Sequence, residues 1–362
     1  MSFNLKDLFR KAMKDERKVL RPHFFADEMA QTQELVVEQV YVRLRLARMF
    51  LKNRRVLFQT KYPVVNALTR FSGIDGLVEV NFVVKPELAG NGEESDLDDV
   101  VTLDQTLLGP VLYRGGDMEL MLGLYAAPAD DWAQRFISLA EGISKLTLNA
   151  TVTTAISVAN TIKTSIVDSM SGDGLDLKLG LDKELKENDW LAPGHVVMIA
   201  APDEEIDFGQ LRVEDGELQT KAGKVYADHD YIVLAIEITS QRSDWQALGY
   251  GRMWQSLLKT AAEEDDLERV KEAYQMFTAA ILSSEDLSVA DQAGIVSLAQ
   301  QRIKAIRDAR APTDFFDGLK GIDDLAAAAS AVAEIVGEDT AEIPRVSTDV
   351  SIEEMMATDW IN

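Results

Sequence analysis

The spacing of apolar residues changes character along this chain, and the largest change, after Thr239, sets the fold class. Between Val40 and Thr239, outside a helical stretch at about 131–170, the spacing is two. Val40, Val42, Leu44 and Leu46 alternate with Tyr41, Arg43 and Arg45, and Val78, Val80, Phe82 and Val84 alternate with Glu79 and Asn81. Successive side chains of a strand point to opposite faces, so these segments are strands with one apolar face. Val56 to Gln59 and Val111 to Arg114 read as shorter strands. Met118, Leu120, Leu122 and Leu124 line one face of another, after a turn at Gly115-Gly116-Asp117. Further strands are predicted at His195 to Ala201, Leu211 to Val213, Glu217 to Gln219 and Tyr231 to Thr239, with Glu214-Asp215-Gly216 as a hairpin turn. The pattern leaves open whether these join the first sheets or form their own.

From Asp244 onward the spacing is helical. Leu267, Val270, Tyr274, Phe277 and Ile281 step by three and four, and Ser288 with Asp291 opens a further helix through Ile295, Ala299, Arg302, Ile303 and Ile306, ended by Pro312. An Ala-rich helix is predicted from about Asp324 to Val336, stopping at Gly337. Two helical patterns also interrupt the strand region, one opened by Asp131 with Trp132 and Phe136 on a face, the other running from Val152 to Met170. Four of the five tryptophans follow an aspartate, and at Asp131-Trp132 and Asp244-Trp245 the expected reason is an Asp cap with Trp anchoring the first turn.

The fold class expected from these patterns is α+β. An antiparallel β-sandwich with helical insertions is followed by a C-terminal helical bundle and an acidic tail. The expected domains are a basic amphipathic helix over 1–22, a β-rich sandwich over 35–240 with its helical insertion at about 131–170, a helical domain over 244–336, and an acidic tail over 337–362 carrying a short docking helix. The acidic run Glu93, Glu94, Asp96, Asp98 and Asp99 falls between strands. Oxygen-rich rim loops hold Ca²⁺ in C2 domains, which makes a C2-like sandwich one candidate, but the spacing is not diagnostic and a solvated loop is the simpler account.

Charge is laid out unevenly along a chain whose net is −24. Residues 1–74 hold 15 Lys and Arg against 7 Asp and Glu, a net of +8, whereas 75–336 hold 21 against 47 and the last 26 residues 1 against 7. The first helix is capped by Asn4, with Leu5, Leu8, Phe9, Ala12 and Met13 on one face and Lys6, Arg10, Lys11, Lys14, Arg17 and Lys18 around the rest. From Gln39 to Ile74 there is no acid, while Arg43, Arg45, Arg48, Lys52, Arg54, Arg55, Lys61 and Arg70 supply eight positive charges. Such a run is either a solvated face or an anion-binding surface that meets acids of this chain or of a partner. The overall charge argues against nucleic acid as a partner.

No motif names a reaction. An apolar share of 46% supplies proper cores, and no run reaches the roughly 18 apolar residues of a spanning helix, so a cytoplasmic protein is expected. The absence of cysteine removes disulfides, thiolate metal sites and cysteine nucleophiles. Gly249-Tyr250-Gly251 lacks the third glycine of a dinucleotide fingerprint, and Ser256 with Lys259 matches a common four-residue pattern by chance. Asp228-His229-Asp230 is the one cluster able to tune an imidazole, and a solvated turn feeding the next strand explains it equally simply. No cofactor, metal or small-molecule substrate is indicated.

The expected function is therefore non-catalytic: an interaction or regulatory subunit of a multiprotein assembly, with a protein partner. Its expected contact residues are Lys52, Arg54 and Arg55 in the basic run and Ile352, Met355, Met356 and Trp360 in the tail. Ser351-Ile352-Glu353-Glu354 has the form of a capping box, and those four apolar residues fall on one face of the helix it would open. That face could dock in cis or in trans. A membrane-active effector using the basic helix and the Thr/Ser-rich segment is the alternative from another class, and a carboxylate- or metal-dependent hydrolase comes third.

Overall fold

The computed structural model describes residues 22–27, 34–52, 55–56, 59–74, 76–84, 101–128, 176–187, 189–264, 266–310, 343–345, 351–358 and 360–361. The expected N-terminal helix, the helical insertion at 131–170, the acidic run at 93–99, the Ala-rich helix and Arg54 lie outside these residues. The chain divides into two compact units, Met1–Thr239 and Ser240–Asn362.

Unit 1 is built from antiparallel strands. Its first sheet contains β1 (His23–Ala26), β2 (Tyr41–Phe50), β6 (Val101–Leu112), β9 (Gly194–Ile199) and β12 (Tyr231–Thr239), in the order β1-β9-β12-β2-β6. The second contains β3 (Arg55–Val56), β4 (Gln59–Gly73), β5 (Gly76–Val84), β7 (Met118–Pro128) and β8 (Asp176–Leu185), with β4 and β7 paired along their length and β5 and β8 flanking them. Strands β10 (Leu211–Glu214) and β11 (Glu217–Thr220) form a separate hairpin. The late strands therefore split: β9 and β12 complete the first sheet, and β10 with β11 pair only with each other.

One apolar cluster draws on both large sheets. It holds Val42, Leu44, Leu46 and Met49 of β2 and Ile232, Leu234, Ile236 and Ile238 of β12, together with Val65, Ala67 and Phe71 of β4 and Leu120, Leu122 and Leu124 of β7. In the second sheet Val64, Leu68, Met121 and Tyr125, of opposite parity, are buried as well. Strands β4 and β7 are thus buried on both faces, which strict alternation in the sequence did not imply. Strand β4 beyond its first residues and the first ten residues of β6 have mixed polar and apolar sequences, and their pairing rather than their pattern makes them strands.

A bulge sets the layout of β2. Val233 pairs with Arg48 and Leu234 with Leu46, which leaves Ala47 as an extra residue. The extra residue shifts the alternation by one, so Arg48 stays on the outer face with Arg43 and Arg45 while Met49 turns into the core. The β10–β11 hairpin covers part of this outer face. Its turn has positive φ at Asp215 (49°) and Gly216 (72°), as a two-residue primed turn requires, and a Cβ on Gly216 would lie 2.9 Å from the Ala47 Cβ. Leu211, Leu218 and Tyr226 close a second cluster there with Phe50, Val197, Tyr231 and Val233.

Unit 2 begins with a 3₁₀ turn at Trp245–Ala247, followed by helices α1 (Tyr250–Glu263), α2 (Leu267–Leu282), α3 (Val289–Arg310) and the short α4 (Ile352–Met356). The stripe Val270, Tyr274, Phe277 and Ile281 is buried, and Trp245, Trp254 and Phe277 meet edge to face or tilted at centroid distances of 5.4 to 6.4 Å. Asp244 does not cap the turn as expected, since it makes no side-chain bond to it and instead accepts from Arg242 Nε at 3.1 Å. Trp245 is the anchor foreseen. Asp266 caps α2 through the Glu268 amide, and Ser288 Oγ accepts from the Asp291 amide at the start of α3. Among the described residues, no helix is long and apolar enough to cross a membrane.

Candidate functional site

The basic run meets acids from distant parts of the same chain. Arg43 and Arg45 both reach Glu237 on the neighbouring strand β12, at 3.6 and 2.5 Å, and Arg48 reaches Glu217 of the hairpin at 2.5 Å. Arg70 pairs with Glu119 at 3.3 Å. Arg43 with Glu237 and Arg70 with Glu119 are cross-strand partners whose opposite charges favour the observed pairing, whereas Arg48 meets Glu217 from a hairpin outside its sheet. Lys52 is exposed, and its backbone N–H donates to Asp230 Oδ1 at 2.7 Å. Arg55 pairs with Thr60 in the short β3–β4 ladder. The Lys52 end of the run thus lies where β2 leaves the first sheet.

The tail segment packs on its own unit. Ser351 and Glu354 form the full capping box expected, with Ser351 Oγ accepting from the Glu354 amide at 3.1 Å and Glu354 Oε2 accepting from the Ser351 amide at 2.9 Å. Helix α4 ends at Met356, so the four apolar residues do not share one helical face. Met355 is buried, Met356 and Trp360 are half-buried, and Ile352 is 67% exposed. The Tyr274 hydroxyl donates to the Met355 carbonyl at 2.5 Å and accepts from Gln300 Nε2 at 2.8 Å, and the Trp360 ring stands edge-on to Tyr274 at 5.2 Å. Ile361 and Ile343, which the sequence did not single out, are both buried in the same cluster. Gly294 of α3 makes room for the second of them, since a Cβ there would fall 2.3 Å from Ile343 Cγ2.

Asp228-His229-Asp230 is a turn whose His229 and Asp230 side chains contact residues outside the cluster. His229 Nδ1 shares a hydrogen bond with the Tyr226 hydroxyl at 2.7 Å, and Nε2 lies 3.8 Å from Glu205. Burial, and then the charge of Asp228, pushes the Tyr226 hydroxyl up to about 12, too high for a nucleophile at neutral pH. Among the described residues no three His, Asp or Glu side chains gather as a metal site would need.

A feature not foreseen lies at the opposite end of unit 1 from Lys52. Of seven large hydrophobic residues exposed among those described, four are here: Val36 (36%), Val37 (50%), Ile74 (53%) and Leu77 (69%). The loop that carries Val36 and Val37 is pinned. Glu38 adopts φ 60°, its amide donates to the Tyr113 carbonyl at 2.7 Å, and its carboxylate holds Arg114 at 3.1 Å. A Cβ on Gly115 would lie 3.4 Å from Val37 Cγ2, and one on Gly116 3.4 Å from Ser72 Oγ, so turns 36–39, 72–76 and 113–117 adjoin. Loop 186–190 stands beside them, its Asp189 held by Lys183 Nζ at 3.1 Å while that ammonium sits 4.3 Å from the Trp190 ring centroid. Burial first, then Glu187 and Asp117, raises the Tyr113 hydroxyl above its ordinary value. The hollow behind the turn, lined by Val42, Phe71 and Met118 among others, has free volume of about 10 Å³, enough for no more than one water.

Comparison with protein-family models, curated proteins and solved structures gave no match.

Two outcomes follow for the tail. Trp360→Ala is expected to lower the stability of the full chain by about 2 kcal/mol, because a half-buried aromatic leaves the Tyr274 ring and the cluster beneath it. Thermal denaturation checks this, and an unchanged midpoint would mean the segment is not held. The second concerns pH. Burial raises the Tyr274 hydroxyl above its ordinary value of 10.0, so above that pH the unfolded chain has lost a proton that the folded one retains. Stability contributed by Tyr274 is thus present below about pH 10 and falls as pH rises further. Denaturant titrations should show a shallower alkaline decline for Tyr274→Phe than for wild type, and parallel curves would contradict it.

Proposed function

We propose that the protein is a non-catalytic interaction or regulatory subunit of a cytoplasmic multiprotein assembly. The observation that carries this reading is the loop end of unit 1, where Val36, Val37, Ile74 and Leu77 stand exposed and the turn at Glu38 is held by Tyr113 and Arg114. Apolar side chains grouped on a surface mark a place where another molecule removes them from water, and rigid loops lower the entropy lost on binding. The reading takes unit 1 as a two-layer β-sandwich, C2-like in presenting its contacts on rim loops, and unit 2 as a helical bundle. Met355 and Trp360 are engaged by Tyr274, which leaves the loop end and the basic N-terminal surface, with Lys52, Arg54 and Arg55, for a protein partner.

Affinity purification from the native cell with quantitative mass spectrometry tests this. Full-length protein is compared with a Val37→Ser, Ile74→Ser, Leu77→Ser variant whose melting temperature matches wild type. A partner recovered in stoichiometric amount with wild type should fall at least about tenfold with the variant, as central apolar contacts dominate binding. Equal recovery with both proteins, or no stoichiometric partner with either, would overturn the proposal.

A further inference from the structure

The loop end has a counterpart within the same chain. Loops 34–40, 113–117 and 184–190 carry six acidic residues against two basic ones. Both bases already lie against acids, Arg114 on Glu38 at 3.1 Å and Lys186 on Glu184 at 3.2 Å. The surface thus combines exposed apolar side chains with net negative charge. Residues 5–18 have the converse sequence, with Leu5, Leu8, Phe9, Ala12 and Met13 at helical spacing and six basic residues against three acidic ones.

We propose that residues 5–18 dock on the loop end of their own unit, apolar face inward, as an occupant that a partner must displace. Sign of charge and apolar character both match, and a negative surface repels anionic lipid, the other usual destination of a basic amphipathic segment. The tether is long enough. Strand β1 runs toward the loop end, with His23 opposite Val197, which lies opposite Val233 of β12, so Pro22 is level with Ile232 and about 23 Å short of the Thr239 end at 3.3 Å per residue. Crossing from β1 over β9 and β12 to β2 adds three strand spacings, about 14 Å sideways, for roughly 27 Å in all. A helix to residue 18 with extended chain beyond it would cover about 28 Å from Phe9 to Pro22 and about 33 Å from Leu5. Because the segment and a partner would compete for one surface, this inference rests on the proposed function's docking surface, and it adds the means by which that surface is kept covered.

The chain has no cysteine, so introduced thiols are the only ones present. Full-length Phe9→Cys/Val37→Cys is compared with Phe9→Cys/Lys221→Cys, whose second thiol lies at an exposed position after β11. Disulfide formation in air is followed by mass spectrometry at low and high salt. The expected result is an intramolecular disulfide at position 37 forming at least about tenfold faster than at 221, slowed by 1 M NaCl. Phe9→Cys/Leu77→Cys repeats the test on the neighbouring loop should the first pair fold poorly. Equal rates at 37 and 221, or faster reaction at 221, would overturn the proposal, and so would disulfides formed only between two chains, which would make a second copy the occupant. The two tests fail separately: cross-linking is read without any partner, and partner recovery is read without any thiol.

Discussion

Three arginines on an interior strand need either water or counter-charges, and the layout of unit 1 follows from supplying the second. Strand β2 has β12 on one side and β6 on the other, and its outer face is only partly open to solvent. Arg48 and Glu217 retain 16% and 21% of their side-chain exposure. A guanidinium that deep is stable only beside a carboxylate. Glu237 comes from the adjacent strand and Glu217 from a hairpin formed nearly 170 residues later in the chain, so the charge-rich face holds sequence-distant elements together. The same hairpin buries Leu218 and Tyr226 against Phe50 and Tyr231, which places ion pair and apolar cover side by side.

This arrangement separates structural charge from charge that remains for contact. Arg43, Arg45, Arg48 and Arg70 are engaged within the fold, whereas Lys52 sits exposed at the end of β2. Among the described residues, four arginines of the acid-free run from Gln39 to Ile74 therefore meet acids of the same unit. In unit 2 the tail is engaged in a comparable way, with one tyrosine hydroxyl bridging α3 and the Met355 carbonyl.

Where side-chain period and burial coincide, the sequence was a sufficient guide. The strand Tyr231–Thr239 matches its continuous apolar run to the residue, and the stripe through Val270, Tyr274, Phe277 and Ile281 is buried as its spacing requires. The capping box at Ser351 is local chemistry and was equally legible. What pattern could not supply is tertiary. Strand β4 beyond its first residues has a mixed sequence and is a strand because β5 and β7 offer it partners, whereas Leu177, Leu179 and Leu181 of β8 do alternate and carried a strand signal that went unread. The phase shift at Ala47 is visible in Leu46-Ala47-Arg48-Met49 only once Arg48 is known to face outward. Ile361 joins the tail's buried contacts because the chain turns after α4, whereas continued helical spacing had pointed to Ile352. The loop end escaped notice because Val36, Val37, Ile74 and Leu77 are scattered in sequence and gather only when turns 36–39, 72–76 and 113–117 meet.

The central claim is that the cationic face of β2 is neutralised within the chain, and a double-mutant cycle on Arg48 and Glu217 tests it most directly. Arg48→Met, Glu217→Met and the double variant are compared with wild type by denaturant unfolding. The expected coupling is about 1–3 kcal/mol, largely retained in 0.5 M salt because the pair is mostly buried, with each single variant less stable than additivity with the double allows. Coupling within about 0.3 kcal/mol of zero would show that the two charges stabilise nothing together, and would contradict the account.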